Sequence, residues 1–174
     1  MTKEMTKKKR CLVIVGNVAS GKSSVCGGLV ARFEHYRHLS LDTFRHVAMG
    51  SGQVREQAAH ALGLQFIHND NPFLLFETTG TGRFFDKAMR KLMIEGYHIA
   101  LIQLQCDPMV CLQRFYSRSY SGYQLPPYPY TFKPETAVLH IAAAHRELYF
   151  AMCIDTEKVR FEGIIETISD FLTK

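Results

Sequence analysis

The chain has 174 residues, 47% of them apolar and 21% charged, with a formal net charge of +5 at pH 7. That is enough to bury one ordinary core without a second folding unit, and no apolar run, Ile99-Ala100-Leu101-Ile102 included, is long enough to span a bilayer. Five scattered cysteines (Cys11, Cys26, Cys106, Cys111 and Cys153) lack the C-x-x-C spacing of zinc or redox motifs, and the lysine-rich start carries no apolar signal-peptide stretch; reduced core thiols in a cytoplasmic protein are expected.

In chain order, residues 1–10 read as a flexible basic tail. Lys3, Lys7, Lys8, Lys9 and Arg10 hold five of the 21 basic residues, which leaves 16 basic against 15 acidic residues beyond it. The body is therefore nearly neutral, and the excess charge is that of a solvated terminus. Residues 11–174 are expected to form a single domain. Cys11-Leu12-Val13-Ile14-Val15 is a continuous, β-branched apolar run that predicts a buried parallel strand. Gly16-Asn17-Val18-Ala19-Ser20-Gly21-Lys22-Ser23 follows and spells G-x-x-x-x-G-K-[ST], the loop that wraps the phosphates of a nucleoside triphosphate. Val25, Leu29, Val30 and Phe33 then recur at helical spacing, which completes the strand, loop and helix order that this cradle requires. The small Ala19, Ser20 and Gly21 let amide groups point into one concavity at the positive end of that helix. Residues Gly16 through Ser24 are thus expected to bind nucleotide, with Lys22 reaching the outer phosphates and Ser23 ligating Mg²⁺.

Tyr36 to Leu41 predicts a second strand, and Val54 to Leu64 a helix rich in Ala and Gln. Pro72-Phe73-Leu74-Leu75-Phe76 reads as a central strand with a polar end, Glu77-Thr78-Thr79-Gly80, at the sheet edge where ligands sit. Phe84, Ala88, Leu92 and Met93 mark a helix that stops at Gly96, and His98 to Leu104 is another strand. Pro108 opens a helix carrying Arg114 and Arg118, residues 120–132 form a proline-rich loop, and Pro134 starts a helix running through Met152. Cys153-Ile154-Asp155 is a short last strand before an amphipathic helix from Phe161 to Leu172. This alternation predicts an α/β fold on a parallel sheet of about five strands.

Ser40-Leu41-Asp42-Thr43-Phe44-Arg45 closes the second strand on the same edge as the phosphate loop. From there Asp42 can take or orient the proton of an attacking hydroxyl, and Arg45, one helical turn on, can bind acceptor or phosphate charge. Glu77 is the second acidic candidate, placed to hold Mg²⁺ through water or to bind an acceptor hydroxyl. No apolar run ends in Asp in the usual Walker B manner, and the Asp107-Pro108 pair reads instead as a helix start. On the same edge Arg83 can face the acceptor and the loop Thr78-Thr79-Gly80-Thr81-Gly82 can shape its pocket, though a solvated helix start and an ordinary turn explain them equally well. Arg114 and Arg118 lie four apart, share a helix face and can converge on migrating phosphate charge, with the following Tyr- and Pro-rich loop as a cover. The eight histidines show no metal-binding spacing and read as structural; His140 and His145 are expected in one helix.

A P-loop followed by a strand-terminal D-x-[FY]-R, here Asp42-Thr43-Phe44-Arg45, resembles the small P-loop kinases, particularly the polynucleotide 5′-hydroxyl kinases and zeta-toxin-like kinases. The resemblance implies a P-loop NTPase three-layer α/β/α sandwich with a helical lid at about 114–133. It also implies Asp42 as base, Arg45 as an acceptor-site residue, and Arg114 and Arg118 as lid arginines acting beside Lys22. ATP is the expected donor, since the guanine-reading N-K-x-D motif is absent. The acceptor is a hydroxyl on a small metabolite, a nucleoside or nucleotide, or a nucleic-acid 5′ end; the near-neutral body favours the metabolite over nucleic acid. A nucleotide-dependent ATPase or switch, and a nucleotide-binding interaction module without an acceptor, also fit these residues.

Overall fold

The structure is a computed structural model and describes residues 8–67, 71–122, 125, 127–129 and 131–173. Five parallel strands form one sheet: β1 (Arg10–Gly16), β2 (Arg37–Ser40), β3 (Phe73–Thr78), β4 (His98–Gln105) and β5 (Met152–Asp155), in the order β2-β3-β1-β4-β5. Crossovers between parallel strands must pass over a face of the sheet, and the intervening segments do so as helices. These are α1 (Lys22–Arg32), α2 (Leu41–Val47), α3 (Gly52–Phe66), α4 (Gly82–Ile94), α5 (Pro108–Tyr120), α6 (Pro134–Ala144) and α7 (Phe161–Thr173). A 3₁₀ turn, His145–Glu147, follows α6.

The two-residue period of a strand sends alternate side chains of β1 into two different cores. Leu12 and Ile14 pack with Val25, Cys26 and Leu29 of α1 and with Ile164, Ile165 and Ile168 of α7. Cys11, Val13 and Val15 pack on the opposite face with Ile67 and with Phe84, Phe85, Ala88 and Leu92 of α4. The result is the expected three-layer α/β/α sandwich. A third cluster joins Val18 of the phosphate loop to Cys111 and Phe115 of α5 and to Val138 and Ile141 of α6.

Strand order makes β1 the switch point. The chain leaves β1 for β2 on one side and passes from β3 across β1 to β4 on the other, so the crevice beyond the carboxyl ends of β1 and β3 is the ligand edge of the sheet. In register there, Ile14 pairs with Glu77, and Ser40 of β2 pairs with Glu77 from the other side.

Several boundaries differ from the sequence expectations. Arg10 opens β1 rather than ending a tail, and Lys9 Nζ donates to the Glu95 carbonyl at 2.9 Å; residues 1–7 of the expected tail lie outside the described residues. Leu41 is not the last residue of β2 but the first of α2, because the extended Ser40 turns the chain into a helix with Asp42 in its first turn. The helix from Pro134 ends at Ala144, eight residues short of Met152. No helix breaker stands in this segment; tertiary contacts stop it. Leu148 and Phe150 pack into the core beside α4, and Ala151 N–H bonds the Leu101 carbonyl, which starts the run into β5. His145 therefore lies in the 3₁₀ turn and not in one helix with His140. Asp107 caps α5 as expected, accepting from Met109 N–H at 2.7 Å with Pro108 in the first turn. Residues 123, 124, 126 and 130 of the expected lid lie outside the described residues. Among the described residues, no helix is long and apolar enough to cross a membrane.

Candidate active site

The phosphate loop is built from a strained, tethered backbone. Ala19 (φ 58°) and Gly21 (φ 96°) occupy left-handed conformations, a geometry that turns successive amide groups toward one side and costs a non-glycine residue about 1–3 kcal/mol. Asn17 is the tether. Its Nδ2 donates to the Val138 carbonyl of α6 at 2.8 Å, its Oδ1 accepts from Val18 N–H at 2.8 Å, and its carbonyl accepts from Ser20 N–H at 3.2 Å. The first amides of α1, which helix geometry leaves without intrahelical acceptors, remain to face an anion.

Two observations test whether the loop suits a nucleotide phosphate. Among the described residues, Ser20 Oγ is the one buried side-chain oxygen or nitrogen without a hydrogen-bond partner, and a Cβ placed on Gly21 would meet no atom within 4 Å. An unpartnered hydroxyl within the loop and open space at its apex fit an oxygen-rich ligand.

Lys22, 9% exposed, directs Nζ to the Asn17 carbonyl at 2.6 Å. Burial pulls its ammonium below the ordinary lysine value, and the charges of Glu77 and Asp42 offset part of that shift. Ser23 Oγ donates to Glu77 Oε1 at 2.6 Å, and His38 Nε2 lies 3.0 Å from Glu77 Oε2. Burial pushes the Glu77 carboxyl up, but the hydrogen bond from His38, the Lys22 charge and the Ser23 hydroxyl outweigh it, so Glu77 rests below the usual carboxylate range. Ser23 and Glu77 thus present two oxygen-bearing groups side by side, a donor set suited to a hard divalent cation such as Mg²⁺.

Across the crevice stands a second polar group. Arg45 Nη1 donates to Asp42 Oδ1 at 2.6 Å, while Nε and Nη2 form a fork on Glu56 Oε2 and Oε1 at 2.8 and 2.6 Å. Burial works against the Arg45 charge, yet the hydrogen bond to Glu56 and the charge of Asp42 more than compensate and raise its value. His60, one turn along α3, lies 3.2 Å from Glu56 Oε1; burial lowers its value, so the neutral ring donates. The sequence reading missed Glu56 and His60. Their signal was an acid and a histidine four apart in an otherwise Ala- and Gln-rich helix.

Both groups line one cavity of about 500 Å³, which also includes Arg83, Phe84, Phe115, Arg118 and Tyr128. Arg114 and Arg118 do not converge. Arg118 lines the cavity, whereas Arg114 Nη1 donates to Cys106 Sγ at 3.3 Å and does not line it. Asn17 and Ser20 are buried in the loop rather than part of the cavity wall; Val18, Ala19, Gly21, Lys22, Ser23 and Ser24 do line it. The Thr78 to Gly82 loop, which the sequence left between pocket wall and plain turn, contributes Thr78, Thr79, Thr81 and Gly82. His145 Nε2 donates to the Thr79 carbonyl at 2.8 Å and Nδ1 lies 3.2 Å from Gln103 Nε2, so a neutral imidazole ties the turn after α6 to this loop.

No protein-family model matches the chain, and no curated protein does. Solved structures are similar in fold. Shikimate kinase from Acinetobacter baumannii in complex with shikimate superposes at TM-score 0.63 and 14% identity, covering 99% of this chain and 97% of its own. A gluconokinase from Sinorhizobium meliloti gives 0.58 at 13% identity over 97% of each chain. A chain of the Pnkp1/Rnl/Hen1 RNA repair complex gives 0.65 at 15% identity, covering 86% of this chain and 50% of that one. With the five-stranded parallel sheet and the loop at the end of β1, these likenesses establish that the chain has the fold of the small P-loop kinases.

Proposed function

We propose that the protein is an ATP-dependent phosphotransferase that moves the γ-phosphoryl group of ATP to a hydroxyl acceptor, with Asp42 as the base. The observation that carries this reading is the shared cavity: Lys22 and Ser23 on its phosphate-loop side, Asp42 and Arg45 on its β2 side, and Arg118 on its α5 side. Phosphoryl transfer calls for positioned charge more than covalent chemistry, and these groups provide it.

ATP supplies the transferable phosphoryl group, with Mg²⁺ neutralising its charge. The amides of residues 18–23 hold the phosphates, Lys22 leaves the Asn17 carbonyl to pair with them, and Ser23 with Glu77 holds the cation. Asp42 accepts the acceptor's hydroxyl proton at Oδ2, the oxygen that Arg45 does not engage. Arg45, pinned by Glu56, fixes the Asp42 carboxylate in orientation. Arg118 stabilises the charge that spreads over the transferred group, and the aromatic groups of Phe84, Phe115 and Tyr128 restrict water. Arg114, on Cys106, contributes less. A cavity of about 500 Å³ suits a small acceptor such as a metabolite or nucleoside better than a duplex end.

A screen with γ-labelled ATP and Mg²⁺ against nucleosides, oligonucleotides, sugars and aminoglycosides tests the reading. Label transferred to one hydroxyl class supports it. Steady ATP hydrolysis with no acceptor product indicates an ATPase or switch, and tight ATP binding without turnover indicates an interaction module.

A further inference from the structure

One side of the Glu77 carboxylate faces chemistry that phosphoryl transfer does not use. Cys26 of α1, His38 of β2 and Glu77 of β3 bring a sulfur, an imidazole nitrogen and a carboxylate oxygen within 4.8 Å of one another. Cys26 is fully buried and Glu77 is 8% exposed, whereas the His38 side chain is 30% exposed. Ser23, three residues before Cys26, sits on the same helix face and already bonds the other oxygen of Glu77.

We propose that Cys26 Sγ, His38 Nε2 and Glu77 form a binding site for a thiophilic divalent cation of the Zn²⁺ type. The ligand set decides the class of ion. Mixed sulfur, nitrogen and carboxylate donors select Zn²⁺ over Mg²⁺, which takes oxygen ligands and keeps its waters. Three protein ligands leave the fourth tetrahedral position to water or to Ser23 Oγ. Tetrahedral bonds of about 2.0–2.3 Å set ligand atoms roughly 3.3–3.8 Å apart, so the widest pair closes by about 1 Å, within reach of side-chain rotation. The charges also fit: Cys26 thiolate and Glu77 carboxylate together neutralise the ion. Burial and the nearby Glu77 hold the Cys26 thiol protonated. On binding, the S–H bond breaks, the sulfur electron pair forms the S–metal bond and the proton goes to solvent. The ion draws on the carboxylate that Ser23 engages, so its occupancy competes with a hard cation at Ser23.

Titration of the nucleotide-free full chain with Co²⁺, a spectroscopic stand-in for Zn²⁺, tests this without any activity. The expected result is one equivalent bound with tetrahedral d–d bands and a thiolate-to-cobalt charge-transfer band, displaced by Zn²⁺. The charge-transfer band disappears in Cys26→Ala and persists in Cys153→Ser, the exposed thiol. His38→Gln, a change at a half-exposed position that carries the test if Cys26→Ala does not fold, weakens Co²⁺ binding at least tenfold. A missing charge-transfer band in the wild type, a band that survives Cys26→Ala, or unchanged affinity in His38→Gln overturns the proposal. Each of these outcomes leaves the phosphotransferase reading standing, since no nucleotide is present.

Discussion

Replacing Glu56 with Gln probes the least conspicuous part of the site. Gln keeps the size of Glu56 but turns a charged two-bond fork on Arg45 into one neutral acceptor. The two bonds of that fork, 2.8 and 2.6 Å long, lie between groups 13% and 22% exposed. Hydrogen bonds to charged groups contribute about 1.5–3 kcal/mol when buried; with this partial exposure and one bond retained, Glu56→Gln is expected to cost about 1–3 kcal/mol. In a domain of this size that lowers Tm by roughly 2–12 °C. The sign with pH is fixed as well. The Glu56 carboxyl sits below its ordinary value of 4.5, so its contribution is present above that pH and lost as pH falls through the lower folded-state value; Glu56→Gln flattens that acid limb. In transfer, freed Arg45 tightens on Asp42, turns its carboxylate away from the acceptor and reduces kcat by about tenfold, roughly 1.4 kcal/mol of barrier. Thermal melts of Glu56→Gln, Arg45→Met and the double variant measure the coupling directly. A coupling of about 1–3 kcal/mol is expected; additivity to within about 0.5 kcal/mol, with an unchanged kcat for Glu56→Gln, would refute the clamp.

Other consequences are as specific. Arg118→Ala lowers kcat at least about tenfold more than Arg114→Ala in steady-state transfer assays, because only Arg118 lines the cavity; equal effects contradict that placement. Gly80→Ala forces a left-handed residue (φ 73°) and brings a Cβ to 2.6 Å from Val15 Cγ1, a combined cost of about 2–5 kcal/mol, whereas Gly96→Ala (φ 77°, no atom within 4 Å) bears only the backbone part, about 1–2 kcal/mol; similar melting temperatures for the two are inconsistent with the packing described. Burial holds His145 below its ordinary value of 6.5, so its stabilisation is complete above pH 6.5 and is lost as pH falls toward the folded-state value; the fall in melting temperature from about pH 7.5 to about pH 5 is shallower for His145→Gln.

The fold was legible because its signals are local and repeated. The apolar run Cys11 to Val15 can only be a strand buried on both faces, and the loop after it can only lead into a helix. Glu77 was readable for the same reason, as the polar end of a run that had to neighbour β1. What the sequence hid is set by contacts between distant segments. Nothing near Ala144 breaks a helix; α6 stops there because Leu148 and Phe150 are drawn into the core across from it. Glu56 reaches Arg45 only because α2 and α3 fold against each other, and Arg114 parts from Arg118 because Cys106 lies beside it. Helical spacing places two arginines on one face but does not say which of them meets the cavity.

The central claim is that Asp42 takes the proton while the phosphate loop holds the donor. With the acceptor identified by γ-labelled ATP, the decisive measurement compares wild type, Asp42→Asn and Lys22→Ala in nucleotide binding and in label transfer. The account predicts that Asp42→Asn binds ATP like the wild type but transfers label about 10²–10⁴-fold more slowly, and that Lys22→Ala loses binding or transfer. Label transfer by Asp42→Asn at the wild-type rate contradicts it.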